Sequence, residues 1–370
     1  MQSNNTTGPA NISRRSFLRG SAATMMVPLV GGGLGALLSA CSDGQAQPAA
    51  NGTEGEAANG SDTLSGRYMT ALGFSLSFIE TVIAKEQGFF DEQGLFLEIL
   101  GGQGTATALQ SVLGGTTQLS RANAINGIIA IANEQAPIIN IGTVRQRGQF
   151  ELVSLPDSPI NSPDDLSEGL TIGIVSAAGA TENLLDLILS NQGIDLGSIQ
   201  RPVTGVGPAG YELARDGSVD AWISVNTDRQ TLEDDGNDLV SFNIYDHVDL
   251  PSDTYCCALE LVENDDDRPA RFLAGVLQAM DWATDESNWE QAVEHLRVYN
   301  NEIDTEAALV EFPLMVEDWN ANGEDGRLAL VEQKWSGGQE ALTSVGLVNE
   351  TVELDKLIYP DYLEQARERI

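Results

Sequence analysis

Arg121 and Asn123 follow the short stretch Gln118 to Ser120 and directly precede an apolar segment, Ala124 to Ala132, that reads as a helix. At a strand end, the guanidinium fork suits a carboxylate, sulfonate or other oxyanion; the plainer alternative is a surface ion pair. Ser75, Gln103, Thr105, Ser176, Thr181 and Asn226 also fall where strands are expected to give way to loops or helices. Together with Arg121 and Asn123 they are expected to line a cleft. A neutral heterocycle such as a pyrimidine is the alternative ligand, stacked on Phe74 or Trp222, held by Asn123 and Asn226, with Arg121 at the rim.

Reactive constellations are harder to find. His247 sits beside Asp246 and Asp249, where a surface or hinge role outweighs acid-base work, and His295 lies in an amphipathic helical pattern. Cys256 and Cys257 are adjacent on an expected strand, so their side chains point to opposite faces and a disulfide between them is not expected. There is no C-x-x-C motif, and two histidines leave a structural zinc almost no ligands. Lys85, Lys334 and Lys356 are the only lysines, which leaves few Schiff-base candidates. No enzyme activity, metal or cofactor is expected.

Positioning falls to alternating short apolar runs and amphipathic segments, the pattern of βα units in an α/β fold. Tyr68 to Leu72 reads as the first strand, Phe78 to Gln87 as a helix stopped by Gly88, and Leu95 to Leu100 as a second strand. The loop Gly101-Gly102-Gln103-Gly104 then opens a helix from about Ala106 to Leu113. Its N–H groups and the Thr105 hydroxyl could face a polar or anionic group, or the loop is a plain turn into a helix. It lacks the Walker lysine and the G-x-G-x-x-G spacing, which disfavours nucleotide phosphate. Leu170 to Val175 and Asp220 to Val225 repeat the strand-then-small-residue device, and ligands in open α/β sheets bind beyond such carboxyl ends.

With 19 cationic against 55 acidic residues the net charge is -36, which excludes nucleic acid as a partner. Acids spread over the whole body, rather than run together as an interaction tail, read as adaptation to concentrated salt that screens self-repulsion. The first 40 residues carry no acid. There, Arg14 and Arg15 followed by Phe17 and Leu18 resemble a twin-arginine export signal, and Leu38-Ser39-Ala40-Cys41 resembles a lipobox with Cys41 as the lipidated residue. The other reading of Cys41 is a free thiol after a membrane span, but the stretch is glycine-rich and short. Residues 41–65 hold almost nothing to bury and are expected to form a flexible tether.

The body also carries family marks. Ala84-Lys85-Glu86-Gln87-Gly88-Phe89-Phe90 through Gln93-Gly94-Leu95, the segment Ser158 to Leu166, Gly169-Leu170-Thr171-Ile172-Gly173, and Leu213 to Trp222 with Gly217-Ser218-Val219-Asp220-Ala221 come in order. Over roughly residues 66 to 365 the chain resembles the periplasmic substrate-binding proteins of the nitrate, sulfonate and thiamine-precursor importer group. That resemblance implies a two-lobed α/β periplasmic-binding-protein fold (type II-like), with an interlobe cleft and two crossover strands. Lobe 1 would take 66–150 plus 256–370 and lobe 2 would take 151–255, with crossings near Gln149 to Leu155 and Asp249 to Ala258. It implies a monomer at the extracytoplasmic face of the membrane that passes a small solute to an ABC permease and its ATPase. Two rival implications are an enzyme on the same fold, like the thiamine-precursor synthases, and a sensor or adhesin with no importer.

Overall fold

The computed structural model describes residues 63–321 and 325–370. Arg14, Arg15, Cys41 and nearly all of the expected tether lie outside them. The first described strand, β1 (Leu64–Met69), pairs in parallel along its whole length with β2 (Leu95–Leu100), from Leu64 opposite Leu95 to Met69 opposite Leu100. Leu95, Leu97 and Ile99 face inward while Phe96 and Glu98 face out, the two-residue period of a strand with one covered face. Between these strands run α1 (Ile79–Glu86) and α2 (Phe89–Glu92). Gly88 separates them at φ 84°, a left-handed conformation that glycine adopts without steric cost.

The chain continues through α3 (Thr105–Leu113), β3 (Leu119–Asn123), α4 (Ala124–Glu134) and β4 (Ile138–Thr143), then leaves for a second sheet. There it forms β5 (Phe150–Ser154), β6 (Ile172–Gly173), α5 (Ala180–Asn191), α6 (Ala209–Arg215), β7 (Ala221–Val225), α7 (Asn226–Asp234) and β8 (Val240–Asn243). It returns as β9 (Asp253–Ala258), which enters the first sheet antiparallel to both of its neighbours. The first sheet runs β2-β1-β3-β9-β4 and the second β6-β7-β5-β8. Helices complete the chain: α8 (Leu259–Glu263), α9 (Arg268–Trp282), α10 (Trp289–Tyr299), α11 (Thr305–Asn320), α12 (Glu332–Ser344), α13 (Leu354–Leu357) and α14 (Asp361–Arg367).

Two stretches differ from expectation. The passages between sheets are residues 144–149 and 244–252, whereas the expected crossings overlap β5 and β9, which are full ladder strands. Leu170 to Val175 yields a ladder only at Ile172–Gly173, flanked by single bridges from Thr171 to Gln200 and from Ile174 to Val203. This strand is at the sheet edge, and Gly173 presses on β7, where an added Cβ would lie 2.5 Å from Thr204 Cγ2 and 3.0 Å from Trp222 Cβ.

Three apolar clusters hold the body together. One, around Tyr68, Phe90, Phe272 and Phe312, packs α1, α2 and α9 to α11 on the first sheet. A second joins Ile125 and Ile128 of α4 to Leu184 and Ile188 of α5, with Trp335 of α12, so the two sheets share buried surface on one side. The third is small, with Trp222 among Val153, Ala214, Val219 and Leu232. No helix among the described residues is long and apolar enough to cross a membrane.

Candidate functional site

Between the sheets lies a cleft with a cavity volume of about 350 Å³. Residues at or just beyond the carboxyl ends of β1, β3, β6 and β7 line it: Ala71 and Leu72, Asn123, Val175 and Ser176, and Val225 with Thr227 and Asp228. Such ends converge because the chain turns from strand to helix there, which leaves backbone and short side chains at the opening. The passages contribute Gln149 and Ser252, and the start of α11 with the loop before it contributes Ile303, Asp304, Ala307, Ala308 and Glu311. Apolar wall comes from Leu72, Leu76, Phe78, Phe150 and Val206.

Of the ten sequence candidates, Ser75, Thr105, Asn123, Ser176 and Thr181 line the cavity. Thr181 Oγ1 accepts from Val175 N at 3.1 Å and fixes the loop after β6. Asn123 caps α4, its Oδ1 accepting from Ile125 N at 3.3 Å, and its amide donates to the Tyr245 hydroxyl at 2.8 Å and to Ser252 Oγ at 3.2 Å. The glycine loop brings the two sides together: Gly104, at φ 127°, passes so close that an added Cβ would be 2.9 Å from Ser176 Oγ. Two of its N–H groups are spent within the loop's own surroundings. Gly104 N donates to Ala71 O at 2.7 Å and Gly102 N to Thr70 Oγ1 at 3.3 Å.

The other five lie off the cavity wall. Phe74 packs on Tyr299, ring centroids 4.9 Å apart, and Gln103 is exposed on the glycine loop. Trp222 fills the small third core, because β7 turns that face toward α6. Asn226 begins α7, with its backbone N bonded to Gln149 O at 3.0 Å, while its neighbours Val225 and Thr227 reach the cleft.

Arg121 is neither a surface pair nor exposed to the cleft. It is fully buried, with Nη1 2.8 Å from Glu80 Oε1 and Nη2 2.8 Å from Asp253 Oδ2, and its guanidinium lies 4.7 Å from the Phe78 ring centroid. Glu80 Oε1 also accepts from the Tyr255 hydroxyl. Asp253 is shared with Arg145, Nη1 at 2.9 Å, and Arg145 Nε reaches Asp318 at 2.8 Å. Burial would make the Arg121 charge easier to lose, but the carboxylates of Glu80 and Asp253 outweigh it and raise the pKa above its ordinary value. Burial likewise pushes the Asp253 carboxyl up, and the two guanidinium groups more than reverse that, so it ends below the ordinary range.

What sequence reasoning missed is the charge of the wall. Asp228, Asp253, Glu302, Asp304 and Glu311 line the cavity, and no lysine, arginine or histidine does. Asp253 has its two arginines, and Asp304 caps α11 by accepting from Ala307 N at 2.9 Å. Asp228 Oδ2 accepts from Gly207 N at 2.6 Å, and its pKa is raised, chiefly by burial. Half-buried Glu311 has no hydrogen-bond donor or cation as partner among the described residues. Burial, with the Asp228 charge in second place, pushes its carboxyl up to about 7. Asp228 was within reach of strand-end reasoning, two residues past Asn226. Nothing local in the sequence marks Glu311, which arrives on a helix from the C-terminal part of the chain.

The remaining reactive side chains are elsewhere. Cys256 and Cys257 are buried free thiols in β9, both with pKa raised by burial. His247 packs edge-on to Phe242, and His295 Nε2 is 2.8 Å from Gln87 Nε2. Among the described residues no cluster of three or more His, Cys, Asp and Glu is arranged to hold a metal ion.

Solved structures share this architecture. The periplasmic nitrate-binding protein of Synechocystis PCC 6803 is similar with TM-score 0.64 at 13% identity, covering 83% of this chain and 89% of that one. The periplasmic aliphatic sulphonate binding protein of Escherichia coli gives 0.57 at 17%, covering 80% and 92%. The ligand-binding component of an ABC-type import system from Staphylococcus aureus gives 0.60 at 10%, covering 82% and 99%. The chain has the periplasmic-binding-protein fold. No curated protein matches it in sequence. The NMT1/THI5-like family model matches residues 75–288, more than half of the chain, and the protein belongs to that family.

Proposed function

We propose that this protein is the solute-capturing component of an ABC-type importer: held outside the membrane by lipid on Cys41, it binds a small organic molecule and hands it to a permease driven by an ATPase. The observation that carries this reading is the cavity of about 350 Å³ at the convergence of strand ends from two sheets joined by two short passages. That size is at the lower end of the range for small-molecule sites, and its walls mix apolar side chains with hydroxyls. The similar ligand-binding component of an ABC-type import system, together with the similar nitrate- and sulphonate-binding proteins, supports the transport role. The oxyanion reading loses its arginine, since Arg121 is consumed by Glu80 and Asp253. The heterocycle reading loses Phe74 and Trp222 as stacking faces, but Phe78 and Phe150 line the cavity instead.

No cysteine, histidine or lysine lines the cavity, which leaves an enzyme on this fold only carboxyls and hydroxyls there to work with. The test is native mass spectrometry of the mature chain purified in saline medium from the producing cells, with any bound molecule identified after denaturation. A stoichiometric small molecule released intact is expected. Turnover of that molecule by the protein, or failure to retain any solute from a cell-extract metabolite fraction, would overturn the reading.

A further inference from the structure

The cleft is acidic in a way that the overall charge does not explain. Exposed carboxylates on an acidic protein are solvated, whereas Asp228 and Glu311 are half-buried inside the cavity, one from α7 beside the second sheet and one from α11 packed on the first. Their charges act on each other, and Glu311 has no compensating cation. The guanidinium groups near the cavity, Arg121 and Arg145, are held by Glu80, Asp253 and Asp318. Two of the glycine-loop N–H groups, those of Gly102 and Gly104, are bonded to Thr70 and Ala71 rather than turned to the cavity. An anion entering here would meet like charge in a partly desolvated space, and a cation with N–H donors would meet open acceptors.

We infer that the cleft selects an organic cation bearing N–H donors, an amine or protonated amidine, with Asp228 and Glu311 as the carboxylates that hold it from opposite sides. This rests on the solute-capture reading above. Burial and then the Asp228 charge favour the neutral form of Glu311, and an ammonium beside it would favour the charged form. The other charged groups lining the same cavity are Asp253, Glu302 and Asp304, all of the same sign, and Asp253 is already neutralised.

Titration calorimetry on the mature chain at fixed molar salt tests this with four probes: putrescine, agmatine, ethanesulfonate and nitrate. At least one of the two amines is expected to bind, with affinity about tenfold or more weaker in Glu311→Gln and again in Asp228→Asn. It should also weaken as the pH is lowered from 8 to 5.5 and Glu311 takes up its proton. Circular dichroism shows that each variant is folded, and two variants from different helices guard against loss of one. Saturable ethanesulfonate or nitrate binding that Glu311→Gln leaves unchanged or strengthens would overturn the inference and leave solute capture standing. An anionic or uncharged molecule identified on the purified protein would do the same. Retention of no solute at all, whether from these probes or from the metabolite fraction, would overturn solute capture and the charge selection with it.

Discussion

Replacing Arg121 by methionine removes the cation between two carboxylates while keeping most of the side-chain volume. Glu80 is fully buried, and its remaining hydrogen bond comes from the Tyr255 hydroxyl, so its charge would be left with no counterion in contact. Breaking a buried pair by deleting one partner costs about 3–5 kcal/mol, because the orphaned charge keeps its desolvation penalty. In a domain of roughly 300 residues each kcal/mol corresponds to about 1.5 °C, so the midpoint should fall by about 5–8 °C. Asp253 loses less, since Arg145 still holds it. Thermal and urea melts at fixed salt on wild type, Arg121→Met, Glu80→Gln and the double variant provide the assay, the first reading the midpoint and the second the free energy. The double variant should recover much of the loss, because a neutral amide no longer needs a cation. A single variant within about 1 kcal/mol of wild type would refute the reasoning, as would a double variant no better than the single.

Three further outcomes are expected. In the ligand-free protein Glu311→Gln should raise the midpoint at pH 8 and leave it unchanged near pH 4: a carboxyl with its pKa raised on folding weakens the folded state as pH climbs from about 4.3, its unfolded value, to about 7, and the amide removes that effect. Thermal melts should rise steadily from low to molar salt, because a net charge of -36 repels itself until screened, and a flat series would remove the salt-adaptation reading. Cys41→Ala should abolish incorporation of labelled lipid, and changing Arg14 and Arg15 together to Lys should stop export of a folded passenger; unchanged labelling or export would dismiss the leader reading.

Local pattern made much of the frame readable. Leu95 to Leu100 alternates in and out as its residue types require, and Gly88 ends α1 where only a residue tolerant of positive φ lets the chain turn tightly. The strand-end rule brought Ser75, Thr105, Asn123, Ser176 and Thr181 to the cavity wall because it depends on direction along the chain, which sequence carries. It failed for Arg121 because a side chain in a strand points to one face or the other according to partners, and those partners, Glu80 and Asp253, come from α1 and from a strand that returns only after the whole second sheet. Glu311 was hidden for the same reason: nothing in α11 itself says which distant loop it faces. Trp222 looked like a stacking platform only because its place in the third core depends on Ala214 and Leu232 closing over it.

The shared carboxylate of Asp253 has a consequence for how the two halves can swing. Arg145 belongs to the outgoing passage, Asp253 stands where the incoming passage ends, and Asp318 sits on α11, the helix that also carries Glu311. One run of ion pairs therefore clasps both hinge segments and a wall of the cavity. Brine weakens attraction between fully exposed charges most, and these pairs less, because both guanidinium groups are buried and the two carboxylates are largely covered. The joint should answer to salinity less than the acidic exterior around it does.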